Sequence, residues 1–317
     1  MRYATSSMQS TTLSVSPLCL GGNVFGWTID EPTSFGILDA FVAAGFNFVD
    51  TADVYSRWVP GNQGGESETI IGNWIRRTGN RGKLVIATKV GKDMGEDRKG
   101  LRKPYILRAA EDSLRRLQTD YIDLYQSHDD DASTPLEEML EAYDQLIREG
   151  KVRTIGASNY RGPRLEEALQ TSRRFGLPAY QFLQPQYNLY DRADFEESLA
   201  PVCLAHGLGV IPYYSLASGF LTGKYRSEED LSKSARGPGI KKYLNERGFR
   251  ILAALDEVAA QYNSTPPKVA IAWLAARPGI IAPIASATSV EQLNELMDAV
   301  RCKLTPGSME LLNRASA

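Results

Sequence analysis

Eight short stretches of nearly unbroken apolar character recur along the chain, at 16–22, 46–52, 83–90, 121–128, 152–159, 181–188, 208–215 and 279–287. They do not alternate apolar with polar, so they predict strands buried on both faces, as in a parallel sheet. Amphipathic segments of helical length lie between them, at 34–44, 67–78, 104–117, 135–149, 163–174, 194–206 and 290–300. Pro104, Pro135 and Pro163 suit first helical turns; Gly45, Gly79, Gly150, Gly176 and Gly207 suit helix ends. Eight strand–helix alternations predict an α/β fold, a (β/α)8 TIM barrel, with residues 1–317 as one domain. Ahead of the first strand, 3–8 and 11–15 read as an N-terminal β-hairpin that plugs the barrel floor. After the seventh strand, 219–248 is rich in Gly, Lys, Arg and Ser and too long for an ordinary connection. At the C-terminal face of a barrel, that predicts an extended functional loop.

Composition narrows the function classes. The chain carries 36 Lys or Arg against 38 Asp or Glu, a net charge of −2. This argues against a broad nucleic-acid surface but allows a local basic pocket, such as Lys224, Arg226 and Arg236 in the long loop. The two histidines, His128 and His206, cannot form a cage of three His ligands, and no metal site is expected. His206, next to a helix-ending glycine, is assigned to the scaffold. Cys19, Cys203 and Cys302 are far apart with no C-x-x-C, which fits a reducing cytoplasm. No apolar run reaches the ~18–20 residues of a membrane helix, and the first residues hold no apolar leader core.

On the barrel map, polar residues at strand C-termini converge on one face. Strand two leads into Asp50 and Tyr55, strand three ends at Lys89, and strand four ends at His128. Singly, each has a structural explanation: a capping Asp50, a loop-packing Tyr55, a Lys89 paired with Asp50, a rim His128. Four titratable groups from three adjacent strands point instead to a reaction centre. A tyrosine, with an ordinary pKa of about 10, can protonate a carbonyl oxygen. A neighbouring ammonium is expected to lower that pKa, a carboxylate to aim the ammonium, and an imidazole to orient the carbonyl. This set suits carbonyl reduction, or its reverse, with hydride supplied from elsewhere.

The segments GFNFVDTADVYS, VIATKVG, IDLYQSHDDD, GKVRTIGASNY and LQPQYNLYDR resemble the signature segments of the aldo-keto reductase superfamily. The likeness runs from about residue 18 to 296. It implies a (β/α)8 barrel that reduces carbonyls with NADPH, an alcohol-dehydrogenase-type reaction on aldehydes, ketones or sugar-like alcohols. The family's four catalytic residues match Asp50, Tyr55, Lys89 and His128, with Tyr55 the proton donor. His128 is kept where the related potassium-channel β-subunit branch departs from histidine.

The same resemblance assigns a cofactor site. Ser158, Asn159 and Gln184 match nicotinamide carboxamide contacts, and Gly22, Asn23 and Asp50 lie beside them. Tyr213, or Tyr214 one residue on, matches the aromatic that stacks on the ring. Leu216, Ser218, Gly219, Lys224 and Arg236 match the pyrophosphate stretch. Ser286, Thr288, Gln292 and Glu295 match the adenosine-phosphate segment. Thr288 stands where many members carry Lys or Arg, and Leu296 where Asn is frequent. NADP(H) is therefore favoured while NAD(H) stays open.

Phe25, Trp27, Trp58 and Asp129 are expected to contact a small carbonyl or alcohol substrate, with Arg57 and Asp130 as further polar candidates. The chain is expected as a monomer or homo-oligomer. Two other function classes compete. One is a Schiff-base lyase using Lys89 as nucleophile, disfavoured by a nearby Asp50. The other is a non-catalytic NADP(H)-binding regulatory subunit, disfavoured by His128. A short-chain dehydrogenase is disfavoured because neither Tyr-x-x-x-Lys nor G-x-G-x-x-G occurs.

Overall fold

A computed structural model describes residues 13–234 and 237–317. Among them lie the strands β1 (Cys19–Gly21), β2 (Phe48–Asp50), β3 (Val85–Val90), β4 (Ile122–Ser127), β5 (Val152–Ser158), β6 (Phe182–Gln184), β7 (Gly209–Val210) and β8 (Ile284–Ala285). Each falls inside one of the apolar stretches. The strands pair in parallel in the order β7-β6-β5-β4-β3-β2-β1-β8. The Val210 N–H donates to Gly279 O (3.0 Å), Ile281 N–H to Val210 O (2.9 Å) and Ile284 N–H to Pro212 O (2.9 Å). These bonds join the β7 edge to the segment entering β8, so the sheet curls into a (β/α)8 barrel.

Helices cover the outside: α1 (Glu31–Ala43), α2 (Glu66–Thr78), α3 (Lys103–Leu117), α4 (Leu136–Arg148), α5 (Gly162–Phe175), α6 (Ala200–His206), α7 (Glu246–Gln261), α8 (Pro266–Ala275), α9 (Val290–Ala299) and α10 (Pro306–Ser316). A π-helical turn, Asp194–Leu199, precedes α6. Pro104 and Pro163 sit in first turns, while Pro135 takes the N-cap of α4. Gly45, Gly79, Gly150, Gly176 and Gly207 are all left-handed, with φ of 64° to 86°. Helices α2 and α3 cross so closely at Gly72 that a Cβ there would lie 2.1 Å from Arg116 O.

The period-2 pleat separates two cores. Leu20, Val49, Ile86, Tyr125, Ile155 and Leu183 point outward and pack under the helices. Cys19, Phe48, Ala87, Leu124, Phe182 and Ile284 point inward and fill the barrel. Burying Phe48 or Phe182 contributes about 1.5–3 kcal/mol each. Leu13 and Val15 join this interior cluster, as a plug would. The remainder of the expected hairpin, 3–8 and 11–12, lies outside the described residues.

The 219–248 stretch is an extended excursion after β7, as expected, and its described residues are organised by short turns. Short 3-10 segments, Ala217–Thr222, Glu228–Lys233 and Gly237–Tyr243, lead into α7, which already begins at Glu246. Phe220, Tyr225, Ile240 and Tyr243 are fully buried, with the Phe220 and Tyr243 rings stacked 5.3 Å apart.

Candidate active site

The inward register that buries Phe48, Ala87, Leu124 and Phe182 lower down also aims the next residues along each strand. Asp50, Lys89, His128, Ser158 and Gln184 share that parity. Backbone bonds from Tyr55 to Ala52, Arg57 to Val54 and Val59 to Ser56 wind the chain after β2 into successive turns. Those turns bring Tyr55 back over the strand ends. The His128 N–H donates to Val90 O at 2.8 Å, extending the ladder by one residue.

Lys89 is fully buried, and its ammonium donates to Asp50 Oδ2 (2.7 Å), Thr51 O (2.8 Å) and Tyr55 Oη (2.8 Å). All three of its hydrogens are thereby committed. Asp50 Oδ2 also accepts from Tyr55 Oη at 3.2 Å, and Oδ1 accepts from Gln184 Nε2 at 2.8 Å. The Tyr55 and His128 rings stand 6.0 Å apart at 74°. Burial first, and the Asp50 carboxylate second, push the Tyr55 phenol well above its ordinary pKa. This reverses the expected direction: removal from water outweighs the help of a neighbouring ammonium. Burial, then Lys89 and Lys92, hold His128 well below the usual imidazole range. The resting centre thus presents a neutral phenol beside a neutral imidazole.

A cavity of about 1380 Å³ opens above this centre. Asp50, Tyr55, His128, Ser158, Asn159, Gln184, Tyr213 and Tyr214 line its middle. Asn159, left-handed at φ 57°, donates to His128 O at 2.9 Å and accepts from Tyr213 Oη at 2.7 Å. That ties Tyr213 to the reaction centre, while Tyr214 is half-exposed. Leu216, Ser218, Gly219 and Lys224 line the wall toward the far end. Asn23, Ser286, Thr288, Gln292, Glu295 and Leu296 line it after β1 and β8. Ser286 Oγ donates to Asn23 Oδ1 at 2.6 Å, and Gln292 Oε1 accepts from Thr288 N–H (2.9 Å) and Oγ1 (3.0 Å). Glu295 is hydrogen-bonded by Thr265. At Gly21 a Cβ would lie 2.6 Å from Ser286 Oγ, so the wall there is bare backbone.

Not every expected residue arrives. Phe25 is fully buried in the outer core and walls nothing. Asp129 pairs with Lys92 and does not line the cavity. Gly22 lies beneath the site, where a Cβ would meet Ser67 Oγ at 2.9 Å and Asp50 O at 3.1 Å. Arg57 donates to Asp93 O and Asp130 pairs with Arg164, so neither is a cavity residue. Arg236 lies outside the described residues. Trp27 and Trp58 do line the carbonyl end, in an edge-to-face pair at 5.5 Å. His206 pairs with Glu166 at 2.7 Å, away from the cavity. Sequence reasoning missed Val24, Val54, Lys92, Thr265, Pro266 and Pro267 on the walls. The readable signals were the adjacency of Lys92 to strand three and the Thr-Pro-Pro start of α8. Among the described residues, no cluster of three or more His, Cys, Asp or Glu is arranged to hold a metal ion. No helix among them is long and apolar enough to cross a membrane.

The profile of the aldo/keto reductase family matches residues 17–317, and the chain belongs to that family. It is an oxidoreductase family whose members generally use NAD(P)H and act on small carbonyl substrates. The chain is 36% identical over 311 residues to the uncharacterized oxidoreductase YrpG of Bacillus subtilis (strain 168), covering 96% of this chain and 93% of that one. It is 32% identical over 306 residues to a norsolorinic acid reductase of Aspergillus flavus, covering 92% and 75%. A probable voltage-gated potassium channel subunit beta of Arabidopsis thaliana is 34% identical over 296 residues, covering 91% and 88%.

Proposed function

We propose that this chain is a single-domain NAD(P)H-dependent reductase of aldehydes or ketones, with Tyr55 as general acid and base. The observation that carries the reading is the triangle of Lys89 Nζ, Tyr55 Oη and Asp50 Oδ2, closed by contacts of 2.7 to 3.2 Å at the floor of the cavity. When bound, a nicotinamide nucleotide supplies the hydride. The cavity fits one: it is long, bare-walled at Gly21, and offers amides from Asn159 and Gln184 with Lys224 farther along. Ser158, Asn159 and Gln184 would hold the carboxamide, with Tyr213 against the ring. Ser286, Thr288, Gln292 and Glu295 would hold the adenosine end.

The chain's own residues then move the proton. The raised pKa keeps Tyr55 protonated at neutral pH, so its hydrogen is available to the carbonyl oxygen. As the phenolate develops, the Lys89 ammonium at 2.8 Å stabilises it, and Asp50 holds that ammonium in place. The imidazole of His128, neutral and buried, orients the same oxygen. Such acid catalysis contributes roughly 10²–10⁴ in rate.

The Tyr55→Phe variant is expected to lose turnover while NADPH still quenches protein fluorescence. Near-parental turnover would remove Tyr55 from this role. Paired titration with NADPH and NADH measures whether Thr288 weakens the NADP(H) preference. The lyase alternative is disfavoured because all three Lys89 hydrogens are engaged by the site. Borohydride trapping of a substrate adduct on Lys89 would revive it.

A further inference from the structure

At the carbonyl end the cavity wall is apolar, built from Val24, Trp27, Val54 and Trp58. The polar candidates for holding sugar-like hydroxyls are turned elsewhere: Arg57 to Asp93 O, Asp130 to Arg164. One charged side chain breaks this wall, Lys92. The nearby Lys89 does not line the cavity: it lies fully buried below and is spent on Asp50, Thr51 and Tyr55. The backbone fixes Lys92. Gly91, at φ 123°, turns the chain off β3 in a conformation that side chains rarely adopt. The loop is then closed by Gly100 N–H to Gly91 O (3.0 Å) and tied to the β2 turns by Arg57. The Lys92 ammonium rests on Asp129, the residue directly after His128. Its charge is also felt by His128 itself.

We propose that Lys92 is a specificity-determining residue that recognises a carboxylate on the substrate, whose apolar body lies against the Trp27–Trp58 pair. This rests on the reductase reading above and names its substrate class: carbonyl compounds with an apolar or aromatic core and an acid group. The Lys92–Asp129 pair is partly solvated, with 38% and 37% of the two side chains exposed. Such pairs stabilise a fold little, so the ammonium exchanges partners cheaply. A substrate carboxylate offers the ammonium the same kind of charge-assisted bond that Asp129 does, and can take that partner's place.

The test compares kcat/KM for benzaldehyde with that for 2-, 3- and 4-carboxybenzaldehyde. In the parent at least one acid isomer is expected to be favoured about tenfold, chiefly through KM, with the advantage shrinking as salt rises. Lys92→Met brings the ratio toward one, Lys92→Arg retains most of it, and Asp129→Asn increases it. No preference in the parent, or the same ratio in Lys92→Met, overturns the proposal. Tryptophan quenching by the matching carboxybenzyl alcohol against benzyl alcohol, with NADP added, gives a readout without turnover. If no aldehyde is reduced with either nucleotide, the reductase reading fails. The binding pair then still decides the role of Lys92, since equal binding in parent and Lys92→Met refutes it.

Discussion

Two carboxylates three residues apart, Asp50 and Asp53, are both withdrawn from water at the end of β2. Asp50 points into the barrel, where a lysine, a tyrosine and a glutamine all bond to it. Asp53 sits on the other side of the sheet. Its charged neighbours there are Glu68 of α2 and Arg116 of α3, and its Oδ1 has no hydrogen-bond partner. In that outer cluster Arg116 Nε donates to Glu68 Oε2 at 2.6 Å, and Thr88 Oγ1 donates to Glu68 Oε1 at 2.6 Å. Arg116 and, to a lesser degree, Lys89 oppose the shift, but burial with Glu68 pushes the Asp53 carboxyl up to about 8. Perturbed titration alone does not mark a reaction centre. What separates the two clusters is access: Asp50 and Tyr55 face the cavity, whereas Asp53, Glu68 and Arg116 face packed helices.

Breaking the inner cluster should cost most. Lys89→Met leaves Asp50 as an unpaired buried acid and removes the support of the Tyr55 phenolate. Turnover is expected to fall by about 10²–10⁴, and urea unfolding to show a loss of about 3–5 kcal/mol. Breaking the outer cluster should separate those two effects. Arg116→Met strands Glu68 and Asp53 together, so a stability loss of about 3–5 kcal/mol is again expected. The protein that remains folded should turn over near the parental rate. A kcat collapse with unchanged stability would show that the outer cluster belongs to the reaction after all.

The inner cluster was legible in the sequence and the outer one was not, for a physical reason. Strands buried on both faces leave continuous apolar runs, so their ends can be located and the polar residues just beyond them picked out. Asp50, Lys89 and His128 then follow from the strand ends. Side chains on turns have no such period. Phe25 looked like a wall residue, but the 3-10 turn Gly22–Val24 and the bridge from Phe25 to Ile29 rotate it into the core. Lys92 went unnoticed because its direction depends on the left-handed Gly91. The 219–248 segment hid its order because Phe220, Tyr225, Ile240 and Tyr243 are scattered singly among polar residues. Short 3-10 turns carry no longer repeat to reveal them.

The finest distinction between the clusters lies in their pH response, read through Asp53→Asn. In the unfolded chain an Asp titrates near 3.9, and in the fold Asp53 titrates near 8. Between those values the folded state holds a proton that the unfolded state has released. Stability from this group is therefore fully present below about pH 4 and is lost as pH rises through about 8. The slope is at most about 1.4 kcal/mol per pH unit. Asparagine is isosteric and cannot ionise, so the variant escapes this loss. Its melting temperature is expected to match the parent's near pH 4–5, to exceed it increasingly toward pH 8, and to keep a constant lead above that. Thermal melts of both proteins across pH 5–9 measure the gap. A gap that stays flat over this range would mean that Asp53 is ionised in the fold, and Arg116 would then be neutralising both acids at once.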